Sequence, residues 1–178
     1  MKKLLVILLL LIIANTNILI GLEKKPPEGF IPITSKSEIP KIPINWENKG
    51  LMPINTYFEN KSGIINFWAS WCGPCIIEIP DFEKLSKNFS KDNFLIAVIS
   101  SERAGDIVAK NFLDELNIEN LHRGYDPSKV LKNNFGDSGI PVSFIVNSKN
   151  KVLFRIDGVI DWNKPEIINY LKYIASIE

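Results

Sequence analysis

Cys72 and Cys75 are the chain's two cysteines, and both fall within Trp71-Cys72-Gly73-Pro74-Cys75. Two sulfurs three positions apart on the first turn of a helix can reach each other, because a disulfide tolerates Cα separations of ~4.4–6.8 Å. A helix start carries partial positive charge and free N–H groups, which favour a thiolate over a thiol. The thiolate is the attacking species in thiol–disulfide exchange. The spacing therefore supplies a reactive sulfur and a second sulfur to complete the exchange.

Other chemistries of a Cys-x-x-Cys pair fit less well. A structural zinc site takes four ligands, and His122, the single histidine, lies far away in sequence. Haem attachment needs histidine directly after the second cysteine, where Ile76 stands. Closing so short a loop removes little chain entropy, so a purely structural bridge gains little. No metal and no cofactor is expected.

The flanks place the pair. Gly63-Ile64-Ile65-Asn66-Phe67-Trp68-Ala69-Ser70 is a short apolar run of the kind found in buried strands. After the cysteines, Ile79, Phe82 and Leu85 recur at helical spacing, with Pro80 expected to kink that helix. Cys72 is thus expected at the exposed tip of a strand-to-helix switch.

Phe67-Trp68-Ala69-Ser70-Trp71-Cys72-Gly73-Pro74-Cys75 resembles the active-site segment of the thioredoxin superfamily, and Gly139-Ile140-Pro141-Val142-Ser143-Phe144-Ile145-Val146 resembles its proline-then-strand segment. The resemblance implies a cis peptide before Pro141 and an Ile140 backbone that pairs with a substrate strand beside Cys72. It also implies Trp71 as a substrate-facing platform and the Gly73-Pro74 dipeptide of reducing members. The chain is more similar still to the extracytoplasmic TlpA/ResA type. Glu78-Ile79-Pro80 matches the Glu-x-Pro that follows the redox pair there, and Gly158-Val159-Ile160-Asp161-Trp162 resembles its closing segment. This likeness covers about residues 46–178. Where cytoplasmic thioredoxins carry a buried acid, this chain has Asn66, which cannot titrate. Glu78 is then the proton-handling group, with a raised pKa if desolvated beside sulfur; otherwise it is a helix-surface acid.

The remaining chain supplies the frame. One domain is the prior for 178 residues. Lys2-Lys3 followed by the apolar stretch Leu4–Leu22 reads as an export segment. Its 19 residues suffice for an uncleaved signal anchor, whereas the apolar core Leu4–Ala14 also fits a cleaved signal peptide. Residues 23–45, with five prolines, read as a semi-rigid spacer, or as an arm packed on the domain over the last ten. Asn48-Lys49-Gly50 is a turn signal between Ile42–Trp46 and Leu51–Ile54, so an N-terminal β-hairpin is expected.

Asn93–Ser100 reads as a strand and Gly105–Asn117 as a helix with Ile107, Val108, Phe112, Leu113 and Leu116 facing inward. A short strand near 121–125 and a helical turn ending at Asn134 follow. Residues 142–147 and 152–156 form a second hairpin, and Pro165 opens a closing helix to Ser176. That order gives an α/β fold of thioredoxin-like type, a mixed central sheet flanked by helices. Trp46, Trp68 and Trp162 are expected in or near the core.

Charge excludes one class of partner. The net charge is +1, and without Lys2 and Lys3 there are 19 basic residues against 20 acidic, so no nucleic-acid surface is indicated. The resemblance implies instead a reductant of disulfides in exported proteins, such as apocytochrome c or copper-carrying assembly proteins. It implies as well a membrane electron donor of the DsbD or CcdA kind, and attachment to the membrane through residues 4–22 on the periplasmic side. Three alternatives stay open: an oxidant, a metallochaperone using both thiolates and His122, and a peroxidase. The last class carries threonine three residues before its cysteine, where this chain has Ala69.

Overall fold

Residues 62–68 and 94–100 hold the site's frame, and every residue in both is buried. Strands covered on both faces read as continuous apolar runs rather than alternating ones, which is why these stretches stand out in the sequence. The computed structural model describes residues 24–34, 37–136 and 139–176. Its strands are β1 (Ile31–Pro32), β2 (Pro43–Trp46), β3 (Gly50–Pro53), β4 (Ser62–Trp68), β5 (Phe94–Ser100), β6 (His122–Tyr125), β7 (Val142–Val146) and β8 (Val152–Asp157). Its helices are α1 (Ile54–Tyr57), α2 (Gly73–Ser86), α3 (Asp106–Glu115), α4 (Val130–Asn134) and α5 (Pro165–Ser176).

The eight strands form one sheet in the order β1-β8-β7-β4-β5-β6-β2-β3. β4, β5 and β6 are mutually parallel, with Ile64 opposite Ile96 and Val98 opposite Arg123. β7 joins β4 antiparallel, and β8 joins β7 as a hairpin. The expected N-terminal hairpin is β2 with β3, where Trp46 faces Gly50. Alternate residues of β4 serve the two faces. Ile64 and Trp68 pack with α2 and α5 residues such as Ile79, Phe82 and Leu171. Ile65 and Phe67 pack with Ile54, Phe58, Leu131 and Phe144.

Gly63 marks the tightest approach in this frame. A Cβ there would run into the backbone carbonyl of Leu95 and come within 2.9 Å of the Phe58 ring. The obstacle is backbone in a neighbouring strand and cannot swing away. Gly63→Ala is expected to destabilise the fold by about 1–3 kcal/mol through overpacking. Urea denaturation should show a lower midpoint at an unchanged slope; an unaltered midpoint would mean the strands separate freely.

Two expectations need correction. Ile107 is 73% exposed and Val108 is also exposed, so neither faces inward. The inner face of α3 is Ala109 and Leu113, with Phe112 and Leu116 half-buried beside them. Those positions follow i, i+3, i+4, i+7, and Ile107 and Val108 belong to the first turn on the outer side. The proline-rich stretch is the second case. Phe30 is buried with its ring 5.6 to 6.3 Å from those of Phe154, Trp162 and Tyr170. Ile31 and Pro32 pair with Arg155 and Phe154, and Ile39 is buried. An arm packed on the domain therefore reaches back at least to Phe30, because its apolar side chains find uncovered sheet edge and helix to cover. The stretch 4–22 lies outside the described residues. No helix among the described residues is long and apolar enough to cross a membrane.

Candidate active site

β4 ends at Trp68 and α2 starts at Gly73, so the four residues between them turn the chain from sheet into helix. Cys72 is the residue that caps α2. Its backbone is extended (φ −91°, ψ 100°), and its Sγ accepts a hydrogen bond from the Cys75 backbone N–H at 3.3 Å. A capping sulfur thus takes the place of the usual oxygen and receives one of the helix's free donors. Pro74 sits in the first turn, where its missing N–H leaves no bond unmade. Cys72 and Cys75 are joined as a disulfide, with Cα atoms 5.3 Å apart.

The second wall is the segment before β7. The Ile140–Pro141 peptide is cis, and the Ile140 carbonyl oxygen lies 3.7 Å from Cys72 Sγ. Backbone polar groups of Ile140 therefore stand directly beside the first sulfur. Trp71 is 63% exposed and Gly73 and Pro74 are exposed. Cys72 itself retains 6% exposure and Cys75 1%. The open tip expected for Cys72 is narrower than the sequence suggested, because the Ile140 segment covers it; what solvent access remains belongs to Cys72 rather than Cys75. A cavity of about 320 Å³ opens alongside, between Trp71, Ile140 and Lys129.

The same helix, α2, carries a buried carboxyl. Glu78 follows Cys75 by three positions on α2, so the two share a helix face. Glu78 is 1% exposed, which removes the surface-acid alternative. Trp162 Nε1 donates to its Oε1 at 2.6 Å, and Asn66 Nδ2 donates to its Oε2 at 3.1 Å. Asn66 also donates to Ser143 Oγ at 3.0 Å. Burial pushes the Glu78 carboxyl up to about 7, with the nearby Asp81 adding to the rise. The Trp162 and Asn66 donors and the Ile160 backbone N–H oppose it. Desolvation wins because the hydrogen bonds are few and the charge has no cation beside it.

Sequence reasoning named Glu78 but did not connect it to Trp162 or Asn66. Trp162 lies in the core, as its type suggests, and Asn66 cannot titrate, yet both donate to Glu78. The signals were present: a buried carboxyl needs donors, and an indole N–H and a carboxamide are donors. His122, by contrast, opens β6 opposite Ala97, midway along β5, and does not join the cysteines. It bonds the Tyr57 hydroxyl through Nδ1 at 2.7 Å.

The fold and this site define a class. Residues 48–171 match the Redoxin family, and the chain belongs to it. It is 32% identical over 100 residues to the thiol:disulfide interchange protein HelX of Rhodobacter capsulatus, covering 56% of this chain and 54% of HelX. It is 27% identical over 118 residues to the thiol-disulfide oxidoreductase ResA of Bacillus thuringiensis, covering 66% of each. The chain thus spans between about half and two thirds of the length of these relatives. Among solved structures, a putative thiol:disulfide interchange protein DsbE from Chlorobium tepidum superposes with a TM-score of 0.66 at 23% identity, over 76% of this chain and 96% of that one. StoA from Bacillus subtilis superposes at 0.60 with 19% identity, over 73% and 99%. These likenesses establish a thioredoxin-like fold.

Proposed function

We propose that this protein is an extracytoplasmic thiol–disulfide oxidoreductase that reduces disulfides in exported proteins. The observation that carries the reading is the Cys72–Cys75 disulfide at the start of α2, with the Ile140 backbone beside Cys72. In the reduced enzyme the Cys72 thiolate attacks one sulfur of a substrate disulfide. A mixed disulfide forms, and the other substrate sulfur leaves as a thiolate. The Cys75 thiolate then attacks Cys72, the Cys72–Cys75 bond forms, and the second substrate sulfur is released. Two electrons pass from the enzyme to the substrate.

Each surrounding residue has a part. The Cys75 N–H and the positive end of α2 stabilise the Cys72 thiolate. Gly73 and Pro74 keep the helix start open to a partner. Trp71 offers an exposed ring for the substrate to rest on, and the Ile140 backbone ahead of Pro141 offers hydrogen bonds to an extended substrate strand. Glu78 exchanges the proton of Cys75. The apolar stretch 4–22 holds the domain at the outer face of the membrane, and a membrane donor of the DsbD or CcdA kind returns the electrons. Cytochrome c maturation or assembly of respiratory copper sites is the setting this chemistry suits.

The reduction potential of the full-length chain tests the direction. Equilibration with dithiothreitol or glutathione is expected to give about −250 mV or lower, near the thioredoxin end of the range. A value near −120 mV would make the protein an oxidant of its substrates.

A further inference from the structure

Because β4 and β5 are parallel and Ser62 pairs with Phe94, their first residues share one end of the sheet and Cys72 lies beyond the other; β6 enters later, with His122 opposite Ala97. Seven strand residues span roughly 23 Å at about 3.3 Å each. At the end away from the disulfide, Lys61 precedes β4 and Lys91 precedes β5, and His122 opens the shorter β6 beside them. A cavity of about 280 Å³ lies here, lined by Lys49, Lys61, Lys91, Thr56, Tyr57 and His122 among others, and no carboxylate lines it. Met52 and Leu95 form its apolar part.

The charges of this cavity are uncompensated. Among the described residues, none of the ion pairs includes Lys49, Lys61 or Lys91. The acids of the neighbouring face are already engaged: Glu47 and Asp114 both pair with Lys110 and Arg123. An adjoining cavity of about 170 Å³ shares Tyr57, Lys91 and His122, and there Glu119 and Arg123 are the other charged groups. The imidazole feels the cations. Burial pushes His122 down to about 4, and the charges of Lys61 and Lys91 push the same way.

We propose that this cavity binds a compact phosphate dianion, free or as a monoester, between the ammonium groups of Lys49, Lys61 and Lys91 and over the Tyr57–His122 pair. Three lysines that line one cavity, none of them in an ion pair among the described residues, are relieved by two negative charges. The ammonium groups, with the one donor that the hydrogen-bonded Tyr57–His122 pair keeps free, supply what phosphate oxygens need. The volume leaves room for a small alcohol portion against Met52 and Leu95. The site is separate from the disulfide and does not depend on the redox reading.

His122 is the single histidine, so its imidazole resonance in an NMR spectrum is unambiguous. With the full-length chain in a neutral detergent at pH 7, inorganic phosphate or glycerol 3-phosphate is expected to shift that resonance saturably. Either should also raise the imidazole's titration midpoint, since a dianion favours the imidazolium. Lys61→Gln with Lys91→Gln is expected to weaken the response at least tenfold while leaving disulfide exchange at Cys72 unchanged. The same double variant should raise the midpoint even without phosphate, a readout that also reports an intact fold. Saturation only in micelles doped with phosphatidic acid assigns the phosphate to a lipid headgroup; saturation by the soluble anions assigns it to a free ligand. No saturable shift in any arm, or an equal shift in the double variant, overturns the proposal.

Discussion

Cys72→Ser is expected to bring disulfide exchange to the uncatalysed level, a loss of at least about 10³-fold, because the attacking sulfur is gone. Cys75→Ser should behave differently. Attack by Cys72 survives, resolution fails, and a covalent adduct with the substrate accumulates. The asymmetry rests on position. Cys72 caps α2, takes the Cys75 N–H and retains the greater solvent access of the pair. Cys75 lies one turn further in and is nearly inaccessible. A peptide carrying one disulfide, followed by mass spectrometry, reads both variants. An adduct on Cys75 in the Cys72→Ser protein, with none on Cys72 in the Cys75→Ser protein, would reverse the two roles. Neither change should greatly alter stability, since a loop closed between positions three apart restricts little of the unfolded chain.

The part of this site that was legible in the sequence is the part made locally. A buried strand, a capping position and a helix start lie within about twenty consecutive residues, and each has its own chemical signature. The hairpin of β2 and β3 was legible for the same reason, through Asn48-Lys49-Gly50. What was not legible depends on residues distant in the chain. Trp162 reaches Glu78 across 84 positions and Asn66 across 12. The Phe30 ring meets that of Trp162 only because the arm pairs with β8. Helix α3 failed for another reason: Ile107 and Val108 are apolar, but its buried stripe is set by how the helix seats on the sheet. Periodicity reports that a helix has an apolar side more reliably than where that side ends.

The Glu78 carboxyl makes the second large effect, and it is a pH effect. Its ordinary value is 4.5 and burial raises it to about 7 in the disulfide form. Between those values the folded protein holds a proton that the unfolded chain has released. Stability contributed by the neutral carboxyl is therefore complete below about pH 4.5 and is lost as pH rises towards and through 7. The loss is on the order of 3 kcal/mol at about 1.36 kcal/mol per pH unit. Glu78→Gln removes the titration and keeps an oxygen to accept from Trp162 Nε1. Its amide then opposes the Asn66 amide, a mismatch of roughly 1 kcal/mol that does not vary with pH. Denaturation midpoints of the variant should stay level from pH 5 to 8 while those of the parent fall. Asn66→Asp should act the other way. It sets a second carboxyl where an amide now donates at 3.1 Å, so like charges extend the fall to higher pH. The exchange reaction separates a proton-handling role from a structural one. A neutral Glu78 can give its proton to Cys75 when the disulfide opens, and an ionised one cannot. The parent's rate is expected to inflect near pH 7, and Glu78→Gln to lose the inflection. An inflection kept in the variant would assign the titration to another group and leave Glu78 a buried acid that the fold merely tolerates.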